Sequence, residues 1–503
     1  MSKLVLLTLG GTGERVVKSL VMQLASGLQV KDGANNMLDV QIVFLDTDVQ
    51  SKALTEAIDY IAEYRQLYDY HHSVRKHFNG QYDLPLFSTN ILAPLKITID
   101  GAALGSLHTI FDINNLDEDE KAEMDMLYND RAQNMDLRKG FIGMPNIGTI
   151  ALNHLLGNIA HGIGNDDKIF FVNSLFGGTG AAGFPLILNK LQQTLNLSNA
   201  NNQISLGYLT VLPYFKFVAD GTIEKHHGFT VDAGEFDGKS YAALLYYANH
   251  LHTDGISAQY FIGSNQRSEY PHHLGGGAQD NPAHIIEYMA ATSIFHFAKN
   301  VNPRNAGNNQ LKYFEYWFGE GNGNDHYLND IPESDNKRSF VRLQLFEYIM
   351  KKELESYVKN NHGVFADQYN YCNRGTNLTS LQTLINKYNN FFGFFDTWKN
   401  QLNATVHSAS LKFAFFNDYP GTNEVITEKF NPKINTTHRE GYPGFRHDVV
   451  TDPDFLGKMS SAVGDLASTG WNEDEKNLFT VYLVQQSVEM ALNDVSQRKS
   501  INI

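Results

Sequence analysis

Along the first three hundred residues, apolar positions fall in short, nearly unbroken runs separated by stretches whose apolar residues recur at helical spacing. The runs are KLVLLTL (3–9), VQIVFLDT (40–47), KIFFVNSL (168–175), ISLGYLTVL (204–212) and AQYFIGS (258–264). Continuous rather than alternating apolarity marks strands covered on both faces, which predicts an α/β fold with a parallel sheet and helices on either side. Between the second and third runs, residues 51–140 read as a surface insertion. It contains a polar, acidic helix in DEDEKAEMDMLYNDRAQNM (117–135), whose charge suits a solvated face.

The segment DNPAHIIEYMAATSIFHFAK (280–299) predicts a helix opened by Asp280 or Asn281 as N-cap with Pro282 in its first turn. Its apolar residues, Ile285, Ile286, Met289, Ala290, Ile294, Phe295 and Phe297, surround the axis, so the helix is expected to be buried between two subdomains. A carboxylate there, Glu287, needs a polar partner. The loop GEGNGNDHYLNDIPESDN (319–336) marks a domain boundary. Residues 336–503 carry two helical patterns, a strand candidate at SLKFAFFN (410–417), a Gly/Pro/Asp loop near 418–455, and a final helix. That helix opens on Asn472 and Glu475 as a capping box and carries Leu478, Val481, Val484, Val488 and Ala491 on one stripe. The division expected is a unit at 1–300, including the helix at 281–299, followed by a mostly helical C-terminal α+β domain at 336–503.

Composition narrows the partners. The chain has 503 residues, with 40 Lys and Arg against 55 Asp and Glu, and the net charge of −15 disfavours nucleic acid or anionic lipid. A single cysteine, Cys372, forbids an intrachain disulfide or a Cys-ligated metal cluster and fits a reducing, cytoplasmic setting. The apolar start MSKLVLLTLGG is too short for a secretory core and runs into a glycine loop, so it reads as a strand. The most apolar window, KIFFVNSLFGGTGAAGFPLIL, carries Asn173, Ser174 and glycines that would leave backbone unpaired in lipid, so no membrane insertion is expected. The His226–His227 and His272–His273 pairs, and His250 with His252, lack nearby Cys or fixed carboxylate partners, so no metal site is assigned.

The candidate chemistry lies in the glycine loops. NSLFGGTGAAGFP (173–185) ends a strand in glycines and opens a helix, which points backbone N–H groups and a helix dipole at one place suited to phosphate. LGGTGERVVKSL (9–20) repeats the arrangement with Gly10, Gly11 and Gly13. It resembles a dinucleotide-binding turn, but Arg15 and Val16 stand where the third glycine would be sought. One such loop serves a pyrophosphate, whereas two or three converging loops can wrap a triphosphate chain. GFIGMPNIGTIALNHLL (140–156) is a third candidate, equally readable as an ordinary helix entry capped by Asn146. LDTDVQSKAL (45–54) sets Asp46, Thr47 and Asp48 after the second strand, where acids meet a ribose or a cation.

In this order the stations resemble the tubulin/FtsZ superfamily of GTP-binding, filament-forming proteins. FGGTGAA (176–182) is similar to the family's G-G-G-T-G-[ST]-G signature, LDTDVQSKAL to its second loop, GMPNIG (143–148) to its third and TVLPYFKFVADGTIE (210–224) to its fifth. The likeness covers about the first 300 residues. It implies a Rossmann-like GTPase domain with a central core helix, GTP or GDP as ligand, and Mg2+ held through the phosphates. Gly10, Gly11, Thr12 and Gly13 would hold the α- and β-phosphates, and Gly177, Gly178, Thr179 and Gly180 would form the signature cradle. Gly143, Asn146 and Gly148 would approach the γ-phosphate, Asp46 and Asp48 the ribose or a cation, and Pro213 and Glu224 the sugar. Asn281, with Gln279 second, would contact the base.

The family completes its hydrolytic site with an acidic loop from the next subunit, for which YLNDIPESD offers Asn329, Asp330 and Glu333. Head-to-tail self-assembly into filaments follows, with hydrolysis at the subunit interface. Phe176, Ala181 and Ala182 depart from the signature and mark a divergent member of the bacterial tubulin-like branch. Those departures keep a second reading open, a non-polymerising, nucleotide-sensing scaffold for an unidentified protein effector. A third, an NAD(P)-dependent oxidoreductase built on LGGTGERV, would have no use for a second cradle.

Overall fold

The computed structural model describes residues 2–48, 50–77, 84–98, 105–134, 136–139, 147–149, 152, 162–197, 199, 203–218, 235–264, 267–271, 280–304, 310–318, 325–326, 334–355, 358, 378–404, 412–413 and 472–499. Its centre is a seven-stranded, wholly parallel sheet. The strands are β1 (Lys3–Leu9), β2 (Asp39–Asp46), β3 (Leu95–Thr98), β4 (Lys168–Ser174), β5 (Ser205–Val211), β7 (Ile256–Ser264) and β9 (Lys312–Phe318), in the order β3-β2-β1-β4-β5-β7-β9. Two short strands, β6 (Phe215–Val218) and β8 (Ser268–Pro271), pair with each other outside it.

Both faces of the sheet are covered, which is why its strands read as continuous apolar runs. Leu4 and Leu6 of β1 with Phe170 and Val172 of β4 face one hydrophobic cluster, while Val5, Leu7 and Leu9 with Ile169 and Phe171 face the other. The first cluster holds helices α1 (Gly10–Ala25), α2 (Lys52–His77) and α6 (Ile285–Asn300). The second holds α4 (Gly178–Thr194) and part of α5 (Glu235–His250).

Residues 51–139 depart from the surface reading. Helix α2 buries Leu54, Ala57, Tyr60, Ile61, Tyr64, Leu67, His71 and Val74, and β3 joins the main sheet. The acidic segment does behave as a solvated face: α3 (Glu118–Leu127), opened by a capping box at Asp117, buries none of its residues. The chain breaks after it at Tyr128, and a separate turn of helix follows at Asp130–Gln133.

Helix α6 is buried nearly all round and lies on the sheet. Gly207 of β5 permits the approach, since a β-carbon there would stand 2.5 Å from the Phe297 ring. On its other side Tyr288 meets Phe340 of α7 (Ser334–Tyr348) and Trp398 of α8 (Leu378–Ala404). The last helix, α9 (Glu473–Lys499), starts on the expected Asn472–Glu475 capping box and buries Val481, Val484 and Val488. His71 of α2 joins these elements, with Tyr388 of α8 and Gln485 of α9 each 2.9 Å from one of its ring nitrogens. The described C-terminal helices therefore share one hydrophobic cluster with α1, α2 and α6.

The start of α6 also differs from expectation. The N-cap is His284, whose Nδ1 accepts from Ile286 N–H while Glu287 accepts from His284 N–H. Asp280 is instead drawn to Lys52, 2.5 Å away, which ties residue 280 to the start of α2 and keeps it out of the helix. The strand candidate at 410–417 is described only at Lys412–Phe413, which pairs with Asp325–His326.

Candidate functional site

In the order β3-β2-β1-β4-β5, the chain runs one way from β1 to β3 and the other way from β4 onward. The crevice outside the carboxyl ends of β1 and β4 is thus a topological switch point, where open parallel sheets bind ligands. Both glycine loops empty into it. Gly10 takes φ +68°, a conformation that side chains resist, and a β-carbon on it would lie 3.4 Å from Thr179 Cβ and 3.5 Å from Gly180 N. Gly180 in turn packs so closely that a β-carbon would stand 3.3 Å from Leu9 O and 3.2 Å from Ser174 N. The two loops touch along bare backbone.

The helices they open have uncapped starts. Neither Leu9, before α1, nor Gly177, before α4, offers a side-chain cap, and neither first turn contains an acidic residue. The N–H groups and the positive dipole ends of two helices therefore share one crevice, an environment that favours an anion.

Acids border the same place. Asp46, at the end of β2, accepts a hydrogen bond from the Thr179 hydroxyl at 3.0 Å and from Asp48 N–H at 3.1 Å. Burial pushes its carboxyl up to about 6, against the pull of those donors. Glu14 of α1 is buried, with Oε2 accepting from Ser51 Oγ at 2.8 Å. Burial, and then the neighbouring Asp46, raise its carboxyl well above the usual range. Among the described residues, Glu14 Oε1 and Thr47 Oγ1 are buried without a hydrogen-bond partner. Two carboxyls so placed favour a shared proton or a nearby cation over two bare charges.

A third feature is the buried ion pair between Arg15 and Glu287. Arg15 Nε donates to Glu287 Oε1 at 2.6 Å, and its Nη2 donates to Thr12 Oγ1 at 3.2 Å and to Tyr214 Oη at 3.1 Å. Tyr214 Oη donates a hydrogen bond to Glu287 Oε1 at 2.5 Å. Burial works against the guanidinium charge, but the facing Tyr214 and Glu287 more than offset it, so the charge is firmly held. Glu287 thus has the polar partner that its position demands, and it joins the first glycine loop to the start of α6.

Among the sequence-predicted residues, the structure brings Gly10, Thr179, Gly180 and Asp46 into direct proximity, with Asp48 one bond further and Thr12 held by Arg15. Gly11, Gly13, Gly177 and Gly178 lie on the same two loops; Gly13 lets α1 close on β1, a β-carbon there standing 2.9 Å from Thr8 Cβ. Pro213 is buried after β5, beside Tyr214, and Asn281 sits nearly buried next to the Asp280–Lys52 pair. Gly148 is a buried helical residue. Gly143, Asn146, Glu224, Gln279, Asn329, Asp330 and Glu333 lie outside the described residues, as do Cys372 and both histidine pairs.

The residues not foreseen are Glu14, Arg15, Ser51 and Tyr214. A signal for two of them was present, since an acid followed by a base directly after a glycine turn is unusual at the entrance of a buried helix. Among the described residues no group of three or more His, Cys, Asp or Glu is arranged to hold a metal ion. No described helix is long and apolar enough to cross a membrane.

No family model matches the chain, and no curated protein matches it. Among solved structures it is similar to TubZ of the Clostridium botulinum phage c-st, at 14% identity and TM-score 0.22, over 59% of each chain. It is also similar to the form of that protein lacking the C-terminal tail, at 14% identity and TM-score 0.23, over 60% of this chain and 63% of that one. The chain thus spans about three fifths of the length of the structures it matches. The α/β assignment rests on the seven-stranded parallel sheet itself.

Proposed function

We propose that the protein binds a guanine nucleotide at the β1/β4 switch point and assembles head to tail in the manner of tubulin and FtsZ, hydrolysing GTP at the subunit interface. The observation that carries the nucleotide reading is the close packing of the two glycine loops, in which a β-carbon on Gly180 would stand 3.3 Å from Leu9 O and one on Gly10 3.4 Å from Thr179 Cβ. A single glycine loop accommodates a tight turn, but two uncapped helix starts meeting at a switch point concentrate donors on one anion. The loops would cradle the phosphates through backbone N–H groups. Magnesium held through those phosphates would have Glu14 and Asp46 as neighbouring carboxylates, and the unpartnered Glu14 Oε1 suits such a charge. Its chemistry would be to neutralise the phosphate oxygens. The chain's own part is positioning: Asp46 holds the Thr179 hydroxyl and the Arg15 guanidinium holds Thr12.

Filament assembly and turnover rest on the resemblance of the ordered loops. The interface would be heterologous, so it propagates. The test is phosphate release from saturating GTP with magnesium across a range of protein concentrations. A rate per molecule that climbs above a threshold concentration is expected; a flat rate with GTP bound would remove intersubunit catalysis.

One observation favours the second reading, a nucleotide-sensing scaffold without turnover. Phe176, where the signature begins with glycine, packs edge-on against Tyr214 and Phe215 at ring distances of 5.7 and 5.1 Å. Ala181 and Ala182 are buried and offer no hydroxyl. That part of the cradle is filled by packing instead of being open to phosphate.

A further inference from the structure

We propose that Arg15 is itself a phosphate-binding side chain of this pocket, adding a charged guanidinium edge to the backbone donors of the glycine loops. The inference rests on reading the crevice as a phosphate site and adds to it a residue that a backbone cradle does not require.

The donor inventory of the guanidinium leads to it. Nε–H is taken by Glu287, and the Nη2 hydrogens by Thr12 and Tyr214. Among the described residues Nη1 bonds nothing, although the side chain is only 6% exposed. An arginine held by three partners has no freedom to turn these hydrogens elsewhere. Nη1 lies against the bare α-carbon of Gly11, where a β-carbon would stand 3.4 Å from it and 3.8 Å from Glu14 Oε2. Nη1 and the Glu14 carboxylate thus both border Gly11 at the start of α1.

The ion pair also orients the group. Glu287 and Tyr214 fix the plane from the side of α6 and of the loop before β6, leaving Nη1 toward the first turn of α1. A single guanidinium nitrogen with both hydrogens free, held in a fixed plane, suits an oxygen of a phosphate ester, and a preorganised donor loses little entropy on binding. Glu287 and Tyr214 are then positioning residues, acting through Arg15.

The experiment compares binding of GTP, pyrophosphate and guanosine to the full chain by calorimetry, for wild type and Arg15→Lys. Lysine keeps a charge for Glu287 but has no second nitrogen to leave free for a phosphate oxygen. The expected result is a loss of roughly tenfold or more for GTP and pyrophosphate with guanosine affinity unchanged. If Arg15→Lys fails to fold, the Arg15→Gln/Glu287→Gln double variant, which removes both buried charges together, must show the same fall in the ratio of GTP to guanosine affinity. Equal losses for GTP and guanosine, or no loss, overturn the proposal while leaving the nucleotide reading in place. Wild-type protein that binds neither GTP nor pyrophosphate overturns both.

Discussion

Five described helix starts divide into two kinds. Helices α1 and α4 begin on glycine, without a side-chain cap and without an acid in the first turn. Helices α3, α6 and α9 begin on reciprocal capping boxes, at Asp117 with Glu120, His284 with Glu287 and Asn472 with Glu475. A capped start has satisfied its first N–H groups and countered its dipole; an uncapped start keeps both available. The two uncapped starts among these meet at the switch point, so the molecule leaves backbone donors open where the sheet topology collects a ligand. Glu287 links the two kinds, since one carboxyl oxygen caps α6 and the other holds the arginine beside the open start of α1.

That double role sets the largest expected effect. Glu287→Ala would strand the buried Arg15 charge and uncap α6 together, with a predicted loss of about 3–5 kcal/mol in urea unfolding. Replacing both members of the pair by Met should recover much of it. A loss below about 1 kcal/mol for Glu287→Ala would mean that the link between the two starts is incidental.

A smaller effect tests the acidic border of the open end through pH. Burial raises the Asp46 carboxyl to about 6 in the folded chain, above the unfolded value, so the folded state binds its proton more tightly. The associated stability is fully present below the unfolded pKa of about 4 and is lost as pH rises through about 6. Asp46→Asn should therefore raise stability at pH 7 by roughly 2–3 kcal/mol and remove that part of the slope between pH 4 and 6. Parallel pH profiles of wild type and variant would show the carboxyl to be unstrained. Anion binding beside the same group should draw protons up at pH 7, seen as a buffer-dependent binding enthalpy.

The sheet was legible because its physics is local. Five strands stood out as apolar runs, and the parallel pairing followed from their being apolar on both sides. The glycine loops were legible for the same reason, as backbone requirements written into consecutive residues. Helix α2 was missed because its stripe of Leu54, Ala57, Ile61, Tyr64, Leu67, His71 and Val74 is interleaved with Tyr, Glu and Arg, and its burial depends on α8 and α9, which lie far along the chain. The start of α6 was misplaced because Asp280, Asn281 and Pro282 are good opening residues, while the capping histidine follows them. The link of Arg15 and Tyr214 to Glu287 became visible only with the fold, since Glu287 is 272 and 73 residues away from them in sequence. Local chemistry is written locally, and a long-range ion pair is not.

The smallest stability change gives the sharpest contrast between the two kinds of start. Gly177 sits at the N-cap of α4 with φ −86° and ψ 165°, the extended conformation that a capping side chain adopts. Gly177→Asp should therefore close this start as Asp117 closes α3, with a gain of a few tenths of a kcal/mol, because glycine is already a tolerable cap. A β-carbon at 177 would meet Ser174 Oγ at 3.1 Å, a side-chain atom that can turn aside. The same carboxylate would occupy the donors and reverse the local field, so pyrophosphate affinity should fall at least tenfold. Melting temperature and calorimetric affinity would then move in opposite directions from one substitution. If Gly177→Asp left pyrophosphate binding intact, the open start of α4 would have no part in holding the anion, and the contrast would reduce to α1 alone.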